Sequence, residues 1–144
     1  MYYSISNKVA NSIPHSYASS LDGFEVDYIV ISQSNAKTIA GFPTKYPYFI
    51  RIDSTGHAMV YTPLSSSNEL FYNQQCKTKL ETTYDENQLS SKQIVLSVED
   101  GKFMMSVGIY ANNINYDTME YIINLLELSA EPLRKVLERY GYYE

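Results

Sequence analysis

Gln93-Ile94-Val95-Leu96-Ser97-Val98-Glu99-Asp100-Gly101-Lys102-Phe103-Met104-Met105-Ser106-Val107-Gly108-Ile109-Tyr110 is the stretch that decides the fold. β-branched and aliphatic residues fill both sides of Asp100-Gly101. Asp-Gly favours the two-residue type I′ turn, because both central residues of that turn take positive φ. With Gln93 to Glu99 and Lys102 to Tyr110 as strands, Val98 falls opposite Phe103, Leu96 opposite Met105 and Ile94 opposite Val107. These side chains then share one face, and Ser97 and Ser106 take the other. A slip of one residue would turn the apolar set to water, so the pattern sets the register.

Downstream the period changes from two to 3.6. Asp117-Thr118-Met119-Glu120 reads as a helix start, with Asp117 as the cap and Glu120 three residues on. Met119, Ile122, Ile123 and Leu126 recur at i, i+3, i+4 and i+7, and Ala130, Leu133, Leu137 and Tyr140 continue the stripe. Pro132 removes an amide inside this run, yet the stripe stays in register across it. The expectation is one kinked helix, or two helices meeting near Ser129, ending before Gly141.

Upstream, the alternation Phe24, Val26, Tyr28, Val30 predicts a half-buried strand, with Glu25 and Asp27 on its other face and its end at Ser32-Gln33-Ser34-Asn35. A second hairpin is expected from Tyr48 to Ile52 and His57 to Thr62. Its turn, Asp53-Ser54-Thr55-Gly56, has the Asp and Gly positions of a type I turn closed by a left-handed residue. Glu69 to Tyr84, rich in Thr, Tyr and Phe and free of Gly and Pro, predicts one long strand or two shorter ones. Near the start, Val9, Ile13 and Tyr17 have helical spacing interrupted by Pro14, which suits an irregular segment or a short helical turn. The expected fold is α+β: one antiparallel sheet of about five to six strands packed against one kinked or two C-terminal helices. Residues 1–144 read as a single domain, a length that buries roughly two thirds of its unfolded surface.

Composition favours contact over catalysis. Tyrosine occurs 15 times, against two histidines, one cysteine and no tryptophan. Tyrosine gives a large, rigid, amphipathic surface at low entropic cost, whereas the side chains that titrate near neutrality are scarce. The net charge is −5, from 16 acids and 11 bases, and no element concentrates Lys and Arg, which disfavours duplex nucleic acid as a partner. The acids are scattered too thinly for a nucleic-acid mimic. No segment has the ~20 apolar residues of a membrane span, so no membrane partner is expected. The first residues do not resemble a signal peptide, Cys76 has no second cysteine to pair with, and there is no Asn-x-Ser/Thr sequon; a cytoplasmic location is the expectation.

Candidate sites follow from this inventory. His15 and His57 could serve as acid and base, but each sits in ordinary turn or irregular sequence, and a structural role is favoured. Cys76 reads as a small buried hydrophobe rather than a nucleophile. No paired Cys/His spacing supports a metal and no glycine-rich loop supports a phosphate cradle, so no cofactor, metal or enzymatic activity is expected. A nucleotide-like ligand could still stack on Tyr48 or Tyr61, with Arg51, Lys45 or Lys102 meeting its phosphate. At the C-terminus, Tyr140, Tyr142 and Tyr143 fall at or beyond the helix end, and Tyr2 and Tyr3 open the chain. Such tyrosines suit a protein interface or the closing of the fold by packed termini. Asn112, Asn113 and Asn115 form a polar, turn-prone loop that suits recognition or plain connection.

The hairpin tipped by Glu99-Asp100-Gly101-Lys102, followed by a helix containing Leu125-Leu126-Glu127-Leu128, resembles the C-terminal part of class I type III secretion chaperones over about a third of the chain. That resemblance implies a homodimer holding a partly unfolded client. The leading expectation from the residues is a non-enzymatic protein-binding module: a small acidic inhibitor, immunity-type or adaptor protein that masks a larger partner, with a homo-oligomer possible. A nucleotide-sequestering protein and a chaperone-like homodimer are the alternatives.

Overall fold

The computed structural model describes residues 8–19, 26–66 and 73–142. In chain order the elements are a helical turn over residues 8–12 (α1), β1 (Tyr17–Ser19), β2 (Val26–Ile31), α2 (Gln33–Ala40), β3 (Tyr48–Asp53), β4 (His57–Pro63), α3 (Gln74–Glu86), β5 (Ile94–Glu99), β6 (Lys102–Tyr110) and α4 (Tyr116–Arg139). The six strands form one antiparallel sheet in the order β1-β2-β3-β4-β6-β5, and with the helices this is the expected α+β arrangement. Among the described residues no helix is long and apolar enough to cross a membrane.

Both hairpins form where local chemistry places them. Val98 pairs with Phe103, Leu96 with Met105 and Ile94 with Val107, while Asp100 (φ 53°) and Gly101 (φ 78°) supply the positive angles of the type I′ turn. Between β3 and β4, Oδ1 of Asp53 accepts from the Thr55 amide (2.9 Å), the Thr55 hydroxyl (2.6 Å) and the His57 amide (3.1 Å). Gly56 closes that turn at φ 87°, donating its amide to the Asp53 carbonyl.

Three expectations are corrected. Gln74 to Tyr84, expected as strand, lie in the helix α3: the Asn73 side chain accepts from the Cys76 amide at 2.7 Å and caps it, and Cys76, Leu80 and Thr83 form a buried helical stripe. Within it the Thr82 hydroxyl donates to the Thr78 carbonyl at 2.9 Å. In β2 the faces are reversed, since Asp27, Ile29 and Ile31 point inward and Tyr28 outward. The strand ends at Ser32 as expected, and Ser32 is also the N-cap of α2 through the Asn35 amide, with Gly41 ending that helix at φ 85°. The cap of α4 is Asn115, not Asp117: Asn115 and Thr118 exchange side-chain and backbone bonds in a reciprocal capping box. From there α4 runs unbroken through Pro132, and Ser129 is buried within it rather than capping a second helix. Phe24 and residues 69–72 of the expected strands lie outside the described residues.

One face of the sheet carries the core. Ile29 and Ile31, Tyr48, Ile50 and Ile52, Ala58 and Val60, Met105, and Ile94 are buried against Ala36 and Ile39 of α2, Leu80 of α3 and the Met119-to-Leu137 stripe of α4. Val9, Ala10 and Ile13 join the same cluster. A polar strap fastens α4 to the sheet. Tyr48 donates to Glu127 (2.6 Å), Arg134 bonds the same carboxylate (3.3 Å), and Arg134 also donates to the carbonyls of Pro63 (2.9 Å) and Leu64 (3.2 Å). Among the described residues, every helix that packs on the sheet through this core uses that face, which leaves the opposite face to the site.

Candidate functional site

Because strand side chains alternate, the face turned away from the core is built from Tyr28, Phe49, Arg51, Met59, Tyr61 and their neighbours on β6. Tyr28 remains 41% exposed and Tyr110 61%. The register sets Phe49 beside Tyr61 and Arg51 beside Met59, and the Phe49 and Tyr61 ring centres lie 6.0 Å apart. The Arg51 guanidinium sits 5.6 Å over the Tyr61 ring and 3.6 Å from the Glu99 carboxylate at the tip of the β5–β6 hairpin. With β4 and β6 between the two partners, this contact draws the hairpin tip across the outer face and makes the face a trough.

Arg51 divides the trough into two clefts. One, of about 650 Å³, runs along Tyr28, Phe49, Tyr61 and Met104, with Glu99, Asp100 and Lys102 at its mouth. The other, of about 630 Å³, is lined by Asp53, His57, Met59, Gly108, Tyr110 and Asn113. Gly108 lines it, and a methyl group there would meet the Met59 sulfur at 3.4 Å, an ordinary contact. His57 stacks on Tyr110 with ring centres 4.9 Å apart, and its Nδ1 lies 2.8 Å from the Thr55 hydroxyl, which itself lies 2.6 Å from Asp53. The Thr55 hydroxyl, helped by the His57 and Thr55 amides, holds the Asp53 carboxyl below the usual carboxylate range. Burial pushes the Tyr61 phenol up, against the opposing pull of Arg51. The surface thus combines aromatic walls with charges of both signs at close range.

Of the residues expected around a small ligand, Arg51 and Tyr61 meet in this trough with Lys102 at its mouth, and the other two do not. Tyr48 lies fully buried on the core face, and burial, followed by the neighbouring Glu127 charge, drives its phenol far above the ordinary range. Lys45 lines a small cleft with Glu127, Glu131, Arg134, Lys135 and Glu138, beside the strap on α4. Among the residues expected at a protein interface, Tyr140 and Tyr142 pack against the core, and the Tyr142 hydroxyl accepts from the Asn73 amide at 3.1 Å. They tie the end of α4 to the start of α3. Tyr2, Tyr3 and Tyr143 lie outside the described residues. Asn115 is occupied in capping α4, Asn112 and Asn113 sit in an exposed 3₁₀ turn, and only Asn113 borders the trough. His15 contacts the Ile13 carbonyl (3.1 Å) and is not among the residues lining the clefts with His57. Cys76 is buried in α3, and burial raises its thiol pKa.

Tyr28, Phe49 and Met59 were missed as site residues. Their alternation with Ile29, Ile50 and Val60 was visible, but which set faced the helices depended on partners distant in sequence. Compared with known proteins, the chain matches no family and no curated protein.

Proposed function

We propose that this chain is a non-enzymatic protein-binding module that engages a larger partner through the outer face of its sheet. The observation that carries the reading is the trough itself: Tyr28, Phe49, Tyr61 and Met59 around Arg51, on the face that the core does not use. Aromatic residues and arginine are the side chains that concentrate binding energy at protein interfaces, and here they are held by strands rather than loops. The partner is a polypeptide segment that places apolar side chains between Tyr28, Phe49 and Tyr61. A masking or adaptor role fits such a surface, and a reducing compartment such as the cytoplasm suits the free thiol of Cys76.

The test is capture from the native host under gentle conditions, with the mass of the eluted complex measured. Tyr61→Ala and Arg51→Glu variants should lose the co-purifying protein, while Tyr142→Phe, on the far end of α4, should retain it. Equal capture by all of them would remove the trough as the docking surface.

A second reading has its own observation, the Arg51–Tyr61 stack beside the His57–Tyr110 pair, which could hold a planar anionic ligand such as a nucleotide. A ligand at about 100 times its Kd stabilises the fold by about 2.7 kcal/mol, so a nucleotide panel read by thermal shift separates the two. No shift at millimolar ligand rejects the nucleotide.

A further inference from the structure

The turn between β3 and β4 fixes which nitrogen of His57 carries the proton. The Asp53 carboxyl, held below the usual carboxylate range, is ionised near neutral pH and can only accept. The Thr55 hydroxyl, 2.6 Å away, therefore gives it its only proton. The same hydroxyl lies 2.8 Å from His57 Nδ1. With no proton left it must accept there, since facing lone pairs at that distance would repel. Nδ1 of the neutral imidazole is thus the protonated nitrogen and Nε2 is bare, with no hydrogen-bond partner among the described residues.

The ring is held in this state. The His57 amide donates to Asp53 Oδ1 (3.1 Å), the imidazole stacks on Tyr110 with centres 4.9 Å apart, and the Ala111 amide donates to the Gly56 carbonyl (2.8 Å), which ties the end of β6 to the turn. The cleft lined by Arg51, Asp53, Met59 and Tyr110 is offered an acceptor by this imidazole, not a donor.

What fills the cleft follows from its walls. A carboxylate or phosphate would bring a further acceptor against the Nε2 lone pair. A lysine could donate, but it would set a cation beside the Arg51 guanidinium. The exposed ring of Tyr110, the thioether of Met59 and the Arg51 guanidinium each favour an aromatic face. A neutral O–H carried on an aromatic ring meets both demands. We propose that this cleft binds the phenol of a tyrosine in the partner segment, its hydroxyl donating to His57 Nε2 and its ring packed against Tyr110 and Met59. This site rests on the outer face being the docking surface, with the apolar side chains of the same segment in the first cleft.

The test uses the purified chain labelled with nitrogen-15, in which His15 is the only other histidine, and 4-methylphenol as the stand-in for a tyrosine side chain. At slightly alkaline pH, long-range nitrogen–proton spectra should show His57 with Nδ1 protonated and Nε2 bare, and Thr55→Val should move the proton to Nε2. Millimolar 4-methylphenol should shift the Nε2 signal while its methyl ether leaves it in place. Thr55→Val should weaken the phenol about five-fold, the worth of one neutral hydrogen bond. The wild-type spectra decide even if that variant disturbs the turn. A wild-type chain with Nε2 protonated overturns the assignment, as does a methyl ether that binds as well as the phenol, or adenosine monophosphate that binds and protonates Nε2. None of these readouts needs the partner. Capture that depends on Tyr61 beside an unresponsive His57 would keep the docking face and remove the tyrosine site, whereas a phenol response with no Tyr61-dependent capture would keep the phenol site and remove the docking face.

Discussion

Replacing Arg134 with Met keeps the length of the side chain and removes its guanidinium from the strap that holds α4 on the sheet. Arg134 is 8% exposed; it bonds Glu127, donates to the carbonyls of Pro63 and Leu64, and sits 5.3 Å over the Tyr46 ring. The variant leaves the Glu127 carboxylate in a site of low exposure without its cation, and it strands two buried carbonyls. Breaking a buried pair from one side costs about 3–5 kcal/mol, a large part of a total stability of about 5–15 kcal/mol. At about 2–4 °C per kcal/mol for a chain near this size, the melting temperature falls by about 10 °C. Tyr48→Phe provides the comparison, because it removes one hydroxyl while Glu127 keeps its arginine; about 1–2 kcal/mol is expected. Urea unfolding of both single variants and the double variant completes a cycle. Without Arg134 the carboxylate depends more heavily on the Tyr48 hydroxyl, so Tyr48→Phe should cost more in that background than in the wild type. Single costs in the reverse order, or additivity within about 0.5 kcal/mol, would refute the account of the strap as one network.

Asn115→Ala should cost about 1 kcal/mol through loss of the capping box, and more than Asp117→Ala, which removes only a charge from the first turn of α4; thermal unfolding of the two variants decides. The Tyr48 phenol is held neutral in the fold, while in the unfolded chain it releases its proton near pH 10, so its contribution is complete below about pH 10 and is lost as the pH rises above that; the alkaline decline should be shallower in Tyr48→Phe. Cys76 is fully buried and its thiol pKa is raised, so an aromatic disulfide reagent should label it only as fast as the chain opens, and prompt labelling of the folded protein would contradict its place in α3.

Where structure was set locally, it could be read from the residues. Asp100-Gly101 and the Asp53-to-Gly56 turn each contain their own geometry, and the α4 stripe persists over enough turns to outvote Pro132. Where long-range contacts decided, local preference misled. The threonines of α3 favour strands in isolation, yet burial of Cys76 and Leu80 against α4 makes the segment helical. In β2 both candidate faces carried apolar residues, and pairing of Ile29 with Ile50 of β3 settled which one turned inward. The trough was half visible. Arg51 and Tyr61 stand in adjacent strands of a hairpin, whereas Tyr28 and Glu99 reach it only through the order of the sheet.

That order also governs how the chain assembles. The β5–β6 hairpin closes over two residues and the β3–β4 hairpin over a short turn, so each can form early and alone. The β4–β6 seam is different, for it pairs Thr62 with Met105 across α3 and the whole of β5. Its closure spans a longer loop than either hairpin and carries the larger entropic cost. Until it closes, Val60 and Val107 stand at open strand edges, and the half-assembled chain offers other chains the same kind of backbone template that the finished sheet confines to its rim.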